Sequence, residues 1–269
     1  MNETHETNRR YWDSTSDDWR RLRDEDGLLS RLLGEPELAF DGGLLEEIRD
    51  SIGDLHGKDV CVVGSGDNYV AFALAGLGAK VVSADISQAQ LAIAAVRSCE
   101  LGLEIEFVRA DAAELDGIDD ESFDLVVSSN GFFVWISDPF AVCSAVHRIL
   151  RSGGHYMFYD IHPFNRPWDE PGTPLVMKKP YWETGPLIGD GGTVVNFHWT
   201  VSDLLNSMVS AGLSIVRLRE SRSGHTRMGR SYRESERDEA LPDWRDDALA
   251  GLPMWLTVNS RKACQTIGG

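Results

Sequence analysis

Residues 59–87 constrain the fold most strongly, because they predict a strand, a glycine turn, a helix and a second strand in close succession. Residues 60–63 are valine and cysteine, as expected of a strand that is buried on both faces. Residues 64–66 then form a tight turn, and residues 70–77 are apolar and rich in alanine, which favours a helix packed on a sheet. With residues 80–84 as the second strand, the segment predicts one β-α-β unit of a parallel sheet.

The turn of this unit suits a ligand that approaches the backbone. Gly64 and Gly66 carry no side chain, and the start of the following helix offers N–H donors and a positive dipole end. Asp85 stands just past the second strand, where an acid can hold the two hydroxyls of a ribose. The pattern serves two cofactor classes, the dinucleotides and S-adenosylmethionine (SAM). Tyr69 occupies the position of the third glycine in the dinucleotide fingerprint, so an NAD-dependent oxidoreductase is the weaker alternative.

The segment resembles motif I of the class I SAM-dependent methyltransferases, in the form found in bacterial small-molecule methyltransferases. Val62 replaces the usual acid of that motif, and Asn68 replaces its last glycine. The resemblance implies that the turn passes the cofactor chain close to the backbone and that Asp85 binds the ribose. The cofactor-binding residues that it implies in this segment are Gly64, Ser65, Gly66, Asn68, Asp85 and Ile86.

Later segments strengthen the resemblance. Residues 105–108 predict a third strand that leads to Asp111, the position at which the family accepts a hydrogen bond from the adenine amine. Ala112 is implied to line the same subsite, and Asn130 to line the cofactor site after the fourth strand. Residues 123–126 match the family's F-D-x-V signature, and the turn that precedes the fifth strand matches its R-x-L-x-x-G-G pattern. The alternative to adenine binding is that Asp111 is an ordinary loop acid or a helix cap.

The implied fold is a doubly wound, Rossmann-like α/β sheet of seven strands in the order 3-2-1-4-5-7-6, with the seventh strand antiparallel. An N-terminal helical lid precedes it. The expected organisation is a lid region at residues 1–55, a SAM-binding core at 56–162, an insertion or substrate lid at 163–200, and the rest of the same α/β domain at 201–269.

Residues 8–23 predict an amphipathic helix with aromatic residues near helical spacing. By resemblance to methyltransferases with a similar segment, Tyr11 and Trp19 are expected to close over the methionine part of SAM. The alternative is a helix that only packs on the core.

Two histidines are candidates for a general base, because the ordinary pKa of histidine lies near neutrality. His162 follows the fifth strand, in the loop that faces the acceptor in this superfamily, and His198 ends the irregular insertion. Asp160 is expected to orient His162 or to contact the acceptor. Both histidines could instead be packing or capping residues, and they are too isolated to predict a metal site.

Composition narrows the function classes. The chain has 269 residues and a formal net charge of −17, which disfavours nucleic acid as a partner. The four cysteines have no C-x-x-C spacing, so buried or free thiols are expected. No apolar run reaches membrane-spanning length, and the N-terminus lacks a signal-peptide core, so a cytoplasmic location without membrane association is expected. The charged stretch 221–247 predicts an exposed loop.

The sequence therefore predicts an enzyme that transfers a methyl group from SAM to a small-molecule acceptor and releases S-adenosylhomocysteine (SAH). A SAM-binding protein without catalytic activity is the alternative, and an NAD-dependent oxidoreductase is less favoured. The oligomeric state is left open.

Overall fold

A seven-stranded mixed sheet organises the computed structural model, which describes residues 2–66, 69–168, 174–222 and 243–264. The strands, in chain order, are β1 Asp59–Val63, β2 Lys80–Asp85, β3 Ile105–Arg109, β4 Phe123–Ser128, β5 Leu150–Ile161, β6 Leu187–Gly189, β7 Val194–Asn196, β8 Leu213–Ser221 and β9 Trp255–Lys262. The main sheet has the order β3-β2-β1-β4-β5-β9-β8, and β6 and β7 form a separate two-stranded hairpin.

The first five strands of the sheet are parallel, and β9 lies antiparallel between β5 and β8. Counted within the main sheet alone, β8 and β9 are the sixth and seventh strands, so the predicted order 3-2-1-4-5-7-6 and the antiparallel last strand are confirmed. The parallel strands bring their carboxyl ends to one edge of the sheet, which is where ligands bind in open α/β folds.

In the part of the chain that the structure describes, six α-helices connect and cover the strands, and several begin at side-chain caps. They are α1 Glu3–Asp26, α2 Leu44–Ile52, α3 Tyr69–Gly76, α4 Gln88–Glu100, α5 Pro139–Ile149 and α6 Val201–Ser210. Ser87 caps α4, Asp138 caps α5 ahead of a proline in its first turn, and Thr200 forms a capping box with Asp203 at α6. Each cap satisfies backbone N–H groups that the helix itself leaves without partners.

Strand β1 separates two hydrophobic layers. Val60 and Val62 face the layer that contains α2 and α3, whereas Cys61 and Val63 face the layer that contains α5 and α6. This alternation follows from the two-residue period of a strand, and burial on both faces explains the apolar run in the sequence. Cys61 forms no disulfide, and burial raises the pKa of its thiol. We therefore interpret it as a core residue rather than a nucleophile.

Some boundaries differ from the sequence-based expectation. Helix α1 extends beyond residues 8–23 at both ends, and the last strand begins at Trp255 rather than at residue 252. Strand β5 begins at Leu150 instead of residue 155, because Leu150 already pairs with Phe123 and an irregularity in the ladder accommodates the glycine pair that follows. The insertion at 163–200 contains the β6–β7 hairpin as well as irregular turns. Most of the stretch 221–247, for which an exposed loop was expected, lies outside the described residues.

In the described ranges, no helix is both long enough and apolar enough to cross a membrane.

Gly64 ends β1 in the left-handed backbone region, with φ of +67°, and a Cβ at this position would lie 2.6 Å from Cε2 of Phe132. Gly102 has nearly the same φ, +66°, but a Cβ there would have open space. We expect Gly102→Ala to lower the free energy of unfolding by about 1–2 kcal/mol through backbone strain alone. Gly64→Ala should lower it by about 1–3 kcal/mol more, because the methyl group overpacks the Phe132 ring. Urea unfolding followed by circular dichroism measures both values, and equal losses would contradict this packing role of Phe132.

Candidate active site at the carboxyl edge of the sheet

The turn after β1 is tied to the end of β2 by several hydrogen bonds. The N–H groups of Gly64 and Ser65 both donate to the carbonyl of Ala84, at 2.8 and 3.2 Å. The Ser65 hydroxyl lies 2.5 Å from that of Ser83, and both residues are buried. The turn is therefore held beside the end of β2, and its role in binding a ligand stays a prediction.

Asp85, at the end of β2, binds this turn directly. Its Oδ2 accepts a hydrogen bond of 2.7 Å from Gly66 N–H, and its Oδ1 accepts one of 2.8 Å from Ser87 N–H. Asp85 and the neighbouring Ile86 are half-buried, so the carboxylate is oriented while still reachable from outside. Asn68, the remaining predicted residue of this turn, lies outside the described residues.

Gln90 was not predicted from the sequence as a site residue. It is only 2% exposed, and neither Nε2 nor Oε1 of its amide has a hydrogen-bond partner within the described part of the chain. Its Oε1 lies 3.8 Å from the position that a Cβ on Gly66 would take, and Oδ2 of Asp85 lies 3.9 Å from the same point. A buried amide without partners costs about 1–3 kcal/mol, so its persistence beside the turn points to a ligand.

A signal for Gln90 was present in the sequence. It shares the buried face of α4 with Ala94 and Arg97, at the i, i+4 and i+7 positions of a helical repeat. A polar residue on such a face needs an explanation, and the sequence analysis offered none.

Asp111 lies just after β3, and its carboxylate is bound by the N-terminal helix. Nδ1 of His5 is 2.9 Å from both carboxylate oxygens, and Ala113 N–H donates to Oδ1 at 3.0 Å. Burial would raise the pKa of Asp111, but the hydrogen bonds from His5 and Ala113 outweigh it and leave the pKa lowered. Asp111 is thus an anion enclosed at the predicted adenine subsite, next to Ala112, which is also buried.

The other ring nitrogen of His5 fixes the tautomer. Ser137 N–H donates to Nε2 at 3.1 Å, so Nε2 is the acceptor and Nδ1 carries the proton that is donated to Asp111. His5 is 2% exposed and joins the end of β3 to the segment before α5. Neither the helical pattern nor the aromatic spacing of α1 indicated this residue.

Helix α1 lies across the carboxyl edge of the sheet through aromatic and polar contacts. The Tyr11 ring is stacked on Trp135 with centroids 5.7 Å apart, and Trp12 meets Trp135 edge-on at 4.9 Å. Trp19 packs on Trp12 at 5.7 Å, and Asp13 Oδ1 accepts a 2.6 Å hydrogen bond from the Ser87 hydroxyl. The structure thus places Tyr11, Trp12 and Trp19 close together on α1, and the role of Tyr11 and Trp19 over a cofactor stays a prediction.

The segment after β4 is fixed by a buried acid of β5. Asp160 is 4% exposed and accepts hydrogen bonds from the backbone N–H groups of Gly131, Phe133 and Ile161, at 2.9, 3.0 and 2.7 Å. Burial raises the pKa of Asp160 in spite of these bonds and of the positive charge of Arg166. Asn130, at the start of this segment, is exposed.

Both ring nitrogens of His162 are already used. Phe164 N–H donates to Nδ1 at 3.1 Å, and Nε2 lies 2.9 Å from Oε1 of Glu220. Burial lowers the pKa of His162, and the nearby Glu220 opposes this change. The residue is buried and caps the turn Pro163–Asn165, which is the capping alternative of the sequence analysis. Its role as a general base stays a prediction.

His198 has a different environment. Its backbone N–H donates to the Thr184 carbonyl, but its buried Nδ1 has no hydrogen-bond partner among the described residues. Burial, followed by the positive charges of Arg166, Lys179 and Lys178, lowers the pKa of His198 to about 3. The ring is therefore neutral at physiological pH, and its role as a base also stays a prediction.

The segment that contains His198 is held against the loop after β4 by hydrogen bonds. Phe197 N–H donates to the Val134 carbonyl, and Nε1 of Trp199 donates to the Ile136 carbonyl, both at 2.8 Å. His198 thus reaches the same edge of the sheet as the β4 and β5 tips. Within the described ranges, no group of three His, Cys, Asp or Glu side chains could hold a metal ion.

The sheet order, the glycine turn after β1 and the acids after β2 and β3 define the class I SAM-dependent methyltransferase fold. Comparison with known proteins agrees, because residues 61–158 match the family model described as a methyltransferase domain. Residues 61–158 thus match a methyltransferase domain, and the chain has the fold of the class I SAM-dependent methyltransferases.

Three similar proteins illustrate the relationship. A ubiquinone biosynthesis O-methyltransferase of Pseudomonas syringae pv. tomato is 34% identical over 113 residues, which are 42% of this chain and 48% of that protein. A solved S-adenosylmethionine-dependent methyltransferase of Mesorhizobium loti is 25% identical, with a TM-score of 0.60 over 81% of this chain and 96% of its own. The magnesium protoporphyrin IX methyltransferase of Synechocystis, solved with bound SAH, is 16% identical, with a TM-score of 0.57 over 97% of this chain and 100% of its own. The chain spans about half the length of the curated relatives that it matches.

Replacing His5 tests how α1 is held. We expect His5→Ala to speed amide hydrogen exchange in α1 by roughly 10- to 150-fold, because a hydrogen bond to a charged group contributes about 1.5–3 kcal/mol. Mass spectrometry of peptides from α1 measures this local opening. Arg10→Ala is the matched control, since the Arg10 side chain is 72% exposed on the same helix and its ion pair with Glu6 contributes little. Equal protection in the two variants would mean that His5 does not hold the helix.

The lowered pKa of His198 predicts a pH dependence of stability. Between about pH 6.5 and pH 3 the unfolded chain binds a proton at this residue and the folded protein does not, so acidification favours unfolding. The free energy of unfolding should therefore fall less steeply between about pH 7 and pH 5 in His198→Gln than in the unmodified protein. Urea titrations at a series of pH values measure both slopes, and identical slopes would show that His198 titrates normally in the folded state.

Proposed function

We propose that this protein transfers a methyl group from SAM to a small-molecule acceptor and releases SAH. The observation that carries the proposal is the polar cradle formed by the turn after β1, the Asp85 carboxylate and the unsatisfied amide of Gln90. All three lie at the carboxyl edge of a parallel sheet, and they offer both donors and an acceptor to a nucleoside.

The residues at this edge fit the parts of SAM. In the proposal, Gly64, Ser65 and Gly66 pass the amino-acid chain of the cofactor along the backbone, with Asn68 beside it. Asp85 holds the ribose hydroxyls with Ile86 packed against the sugar, and Gln90 supplies a further hydrogen bond to the nucleoside.

Asp111 and Ala112 are proposed to form the adenine subsite, and Asn130 to line its approach. His5 already donates to Asp111, so an adenine amine would share this carboxylate with the lid or displace His5 from it. Tyr11 and Trp19 are proposed to cover the methionine part, as residues of a lid region at 1–55 over a core at 56–162. The 163–200 insertion and the remaining α/β part at 201–269 complete the proposed organisation.

SAM supplies an electrophilic methyl group on a sulfonium when it is bound. The contribution of this chain is to hold the acceptor in line with that group, and good orientation contributes about 7–11 kcal/mol relative to an encounter in solution. The wall formed by Tyr11, Trp12 and Trp135 would exclude water from the reacting groups.

An oxygen atom is the proposed methyl acceptor. The curated relative named above is an O-methyltransferase, which supports an oxygen rather than a carbon or nitrogen. A general base is needed only if this oxygen must lose a proton during the reaction. Both ring nitrogens of His162 are engaged, and the lowered pKa of His198 makes it a weak base, so the geometry favours an acceptor that arrives as its anion.

Isothermal titration with SAM, SAH and NADH tests the proposal. Binding of SAM and SAH without NADH supports a methyltransferase, and transfer of a labelled methyl group to phenolic acceptors then supports catalysis. Binding of SAM without transfer to any acceptor would favour the non-catalytic alternative. Binding of NADH alone would establish the oxidoreductase instead.

Gln90 allows a test that separates binding from folding. Gln90→Met keeps the side-chain volume and removes a buried amide that has no hydrogen-bond partner among the described residues, so we expect the melting temperature to be unchanged or higher. Affinity for SAM should fall about 2- to 13-fold, because the lost hydrogen bond contributes about 0.5–1.5 kcal/mol.

Gln88→Met is the matched control for this variant, since Gln88 is exposed on the first turn of the same helix. It should leave SAM affinity unchanged. If Gln90→Met binds SAM as tightly as this control, Gln90 has no role in the cofactor site.

A further inference from the structure

We propose that Arg166, together with Lys178 and Lys179, binds an acidic group of the acceptor, so that the substrate is a small organic anion such as a carboxylate or a phenolate. The identification of the bound ligand as the methyl acceptor rests on the proposed function. The anion site itself depends only on the contacts described below and can be tested without SAM.

The backbone brings the three cations together. Arg166 follows the turn Pro163–Asn165, and its N–H donates to the Pro163 carbonyl at 3.1 Å. The next carbonyl along the chain, that of Pro167, accepts from the N–H groups of Lys178 and Lys179 at 2.8 and 3.4 Å. The two lysines are therefore attached to the turn that carries the arginine. The three residues place three positive charges at one turn of a chain whose net charge is −17.

The Arg166 side chain has no acidic partner among the described residues. The side chain is partly buried, and this burial lowers the pKa of its guanidinium, while the charge of Asp160 acts in the opposite direction. No ion pair or side-chain hydrogen bond of Arg166 is formed within the described ranges. Asp160, the acid whose charge reaches it, already accepts three backbone hydrogen bonds. A partly buried guanidinium with unused donors suits a planar anion.

The position of this site is what connects it with methyl transfer. Asp160 binds the loop after β4 to the end of β5, and the segment 197–199 forms hydrogen bonds with the same loop. The charges of Arg166 and both lysines reach His198 in that segment. The cations therefore stand beside the tips of β4 and β5, on the acceptor side of the proposed cofactor site.

The surroundings favour an organic anion over a free inorganic one. Phe164 packs edge-on against Trp168 and Tyr181, with centroids 6.0 and 5.8 Å apart, on the same turn that positions Arg166. His198 adds a neutral ring whose buried Nδ1 is without a partner in the described part of the chain. Aromatic rings beside a group of cations match a ligand that has an apolar body and one charged end.

The cations of this site also explain how methyl transfer can proceed without a strong general base. Cations close to an acidic oxygen favour its charged form, so the acceptor is held as its anion. An oxygen lone pair then forms the new C–O bond to the methyl carbon while the C–S bond breaks and its electron pair stays on sulfur. The anion loses its charge, the sulfonium loses its charge, neutral SAH leaves, and no proton is transferred in this step.

Benzoate and its neutral isostere benzamide are the probes, titrated separately into the full-length protein in the presence and absence of SAH. Heteronuclear NMR follows the Nε–Hε signal of Arg166 and the ring signals of His198. We expect benzoate to bind at millimolar concentration and to shift both sets of signals, and benzamide to bind at least about tenfold more weakly.

Three variants make the test specific. Arg166→Gln should weaken benzoate binding by roughly 10- to 150-fold and abolish the preference over benzamide, whereas Arg166→Lys should keep a reduced preference. Lys80→Gln is the control, because it removes the same charge from an exposed residue at the opposite, amino end of the strands. It should bind benzoate like the unmodified protein.

The inference is overturned if benzoate does not bind, if benzamide binds equally well, or if Arg166→Gln behaves like Lys80→Gln. SAM titration of Arg166→Gln shows whether the fold and the cofactor site are intact, and the affinity should be unchanged. Failure of the unmodified protein to bind SAM would contradict the proposed function while leaving the benzoate result standing, so the two failures are distinguishable.

Discussion

Carboxylates at the ends of parallel strands hold the whole edge of this sheet together. Each accepts N–H groups from a loop that leaves a neighbouring strand: Asp85 binds the turn after β1, and Asp160 binds the loop after β4. Without these carboxylates, the backbone N–H groups of the loops would need water or other loops as hydrogen-bond partners. Because these acids belong to rigid strands, the loops that they bind are fixed in position. A site for an ordered ligand requires such fixed loops.

The N-terminal helix is held by the same kind of contact. Its packing against the sheet is partly aromatic, through Trp135, but its polar anchors are specific: His5 at Asp111, and Asp13 at Ser87. Hydrogen bonds to charged groups depend strongly on geometry, so they fix the register of the helix more tightly than aromatic packing alone. The helix thus contributes side chains to the edge as well as covering it.

Local patterns in the sequence were sufficient for much of this architecture. The apolar run before Gly64, the helix stops and the acids after successive strands predict the sheet and its binding edge, because these signals lie within a few residues of one another. The polar contacts that hold α1 could not be predicted in this way. His5 meets Asp111 across 106 residues of sequence, and no periodicity marks the pair.

The cationic cluster was missed for a related reason. Arg166 and the two lysines lie in an irregular insertion, where neither helical nor strand spacing indicates which side chains converge. Gln90 is the opposite case, because its place on the buried face of α4 could be read from spacing alone. The strand boundary at Leu150 depended on pairing with Phe123, which only the assembled sheet reveals.

Asn8 gives the helix a second attachment that has consequences for turnover. Its amide accepts from Val195 N–H at 3.0 Å and donates to the Val195 carbonyl at 2.8 Å, so it pairs with β7 as a neighbouring strand would. Helix α1 is therefore joined both to the carboxyl edge of the sheet, through His5 and Asp13, and to the β6–β7 hairpin. An outward movement of α1 would either break its hydrogen bonds with Val195 or displace the hairpin with it. In the proposed function, opening of the cofactor site and opening of the acceptor site would therefore be coupled through one helix.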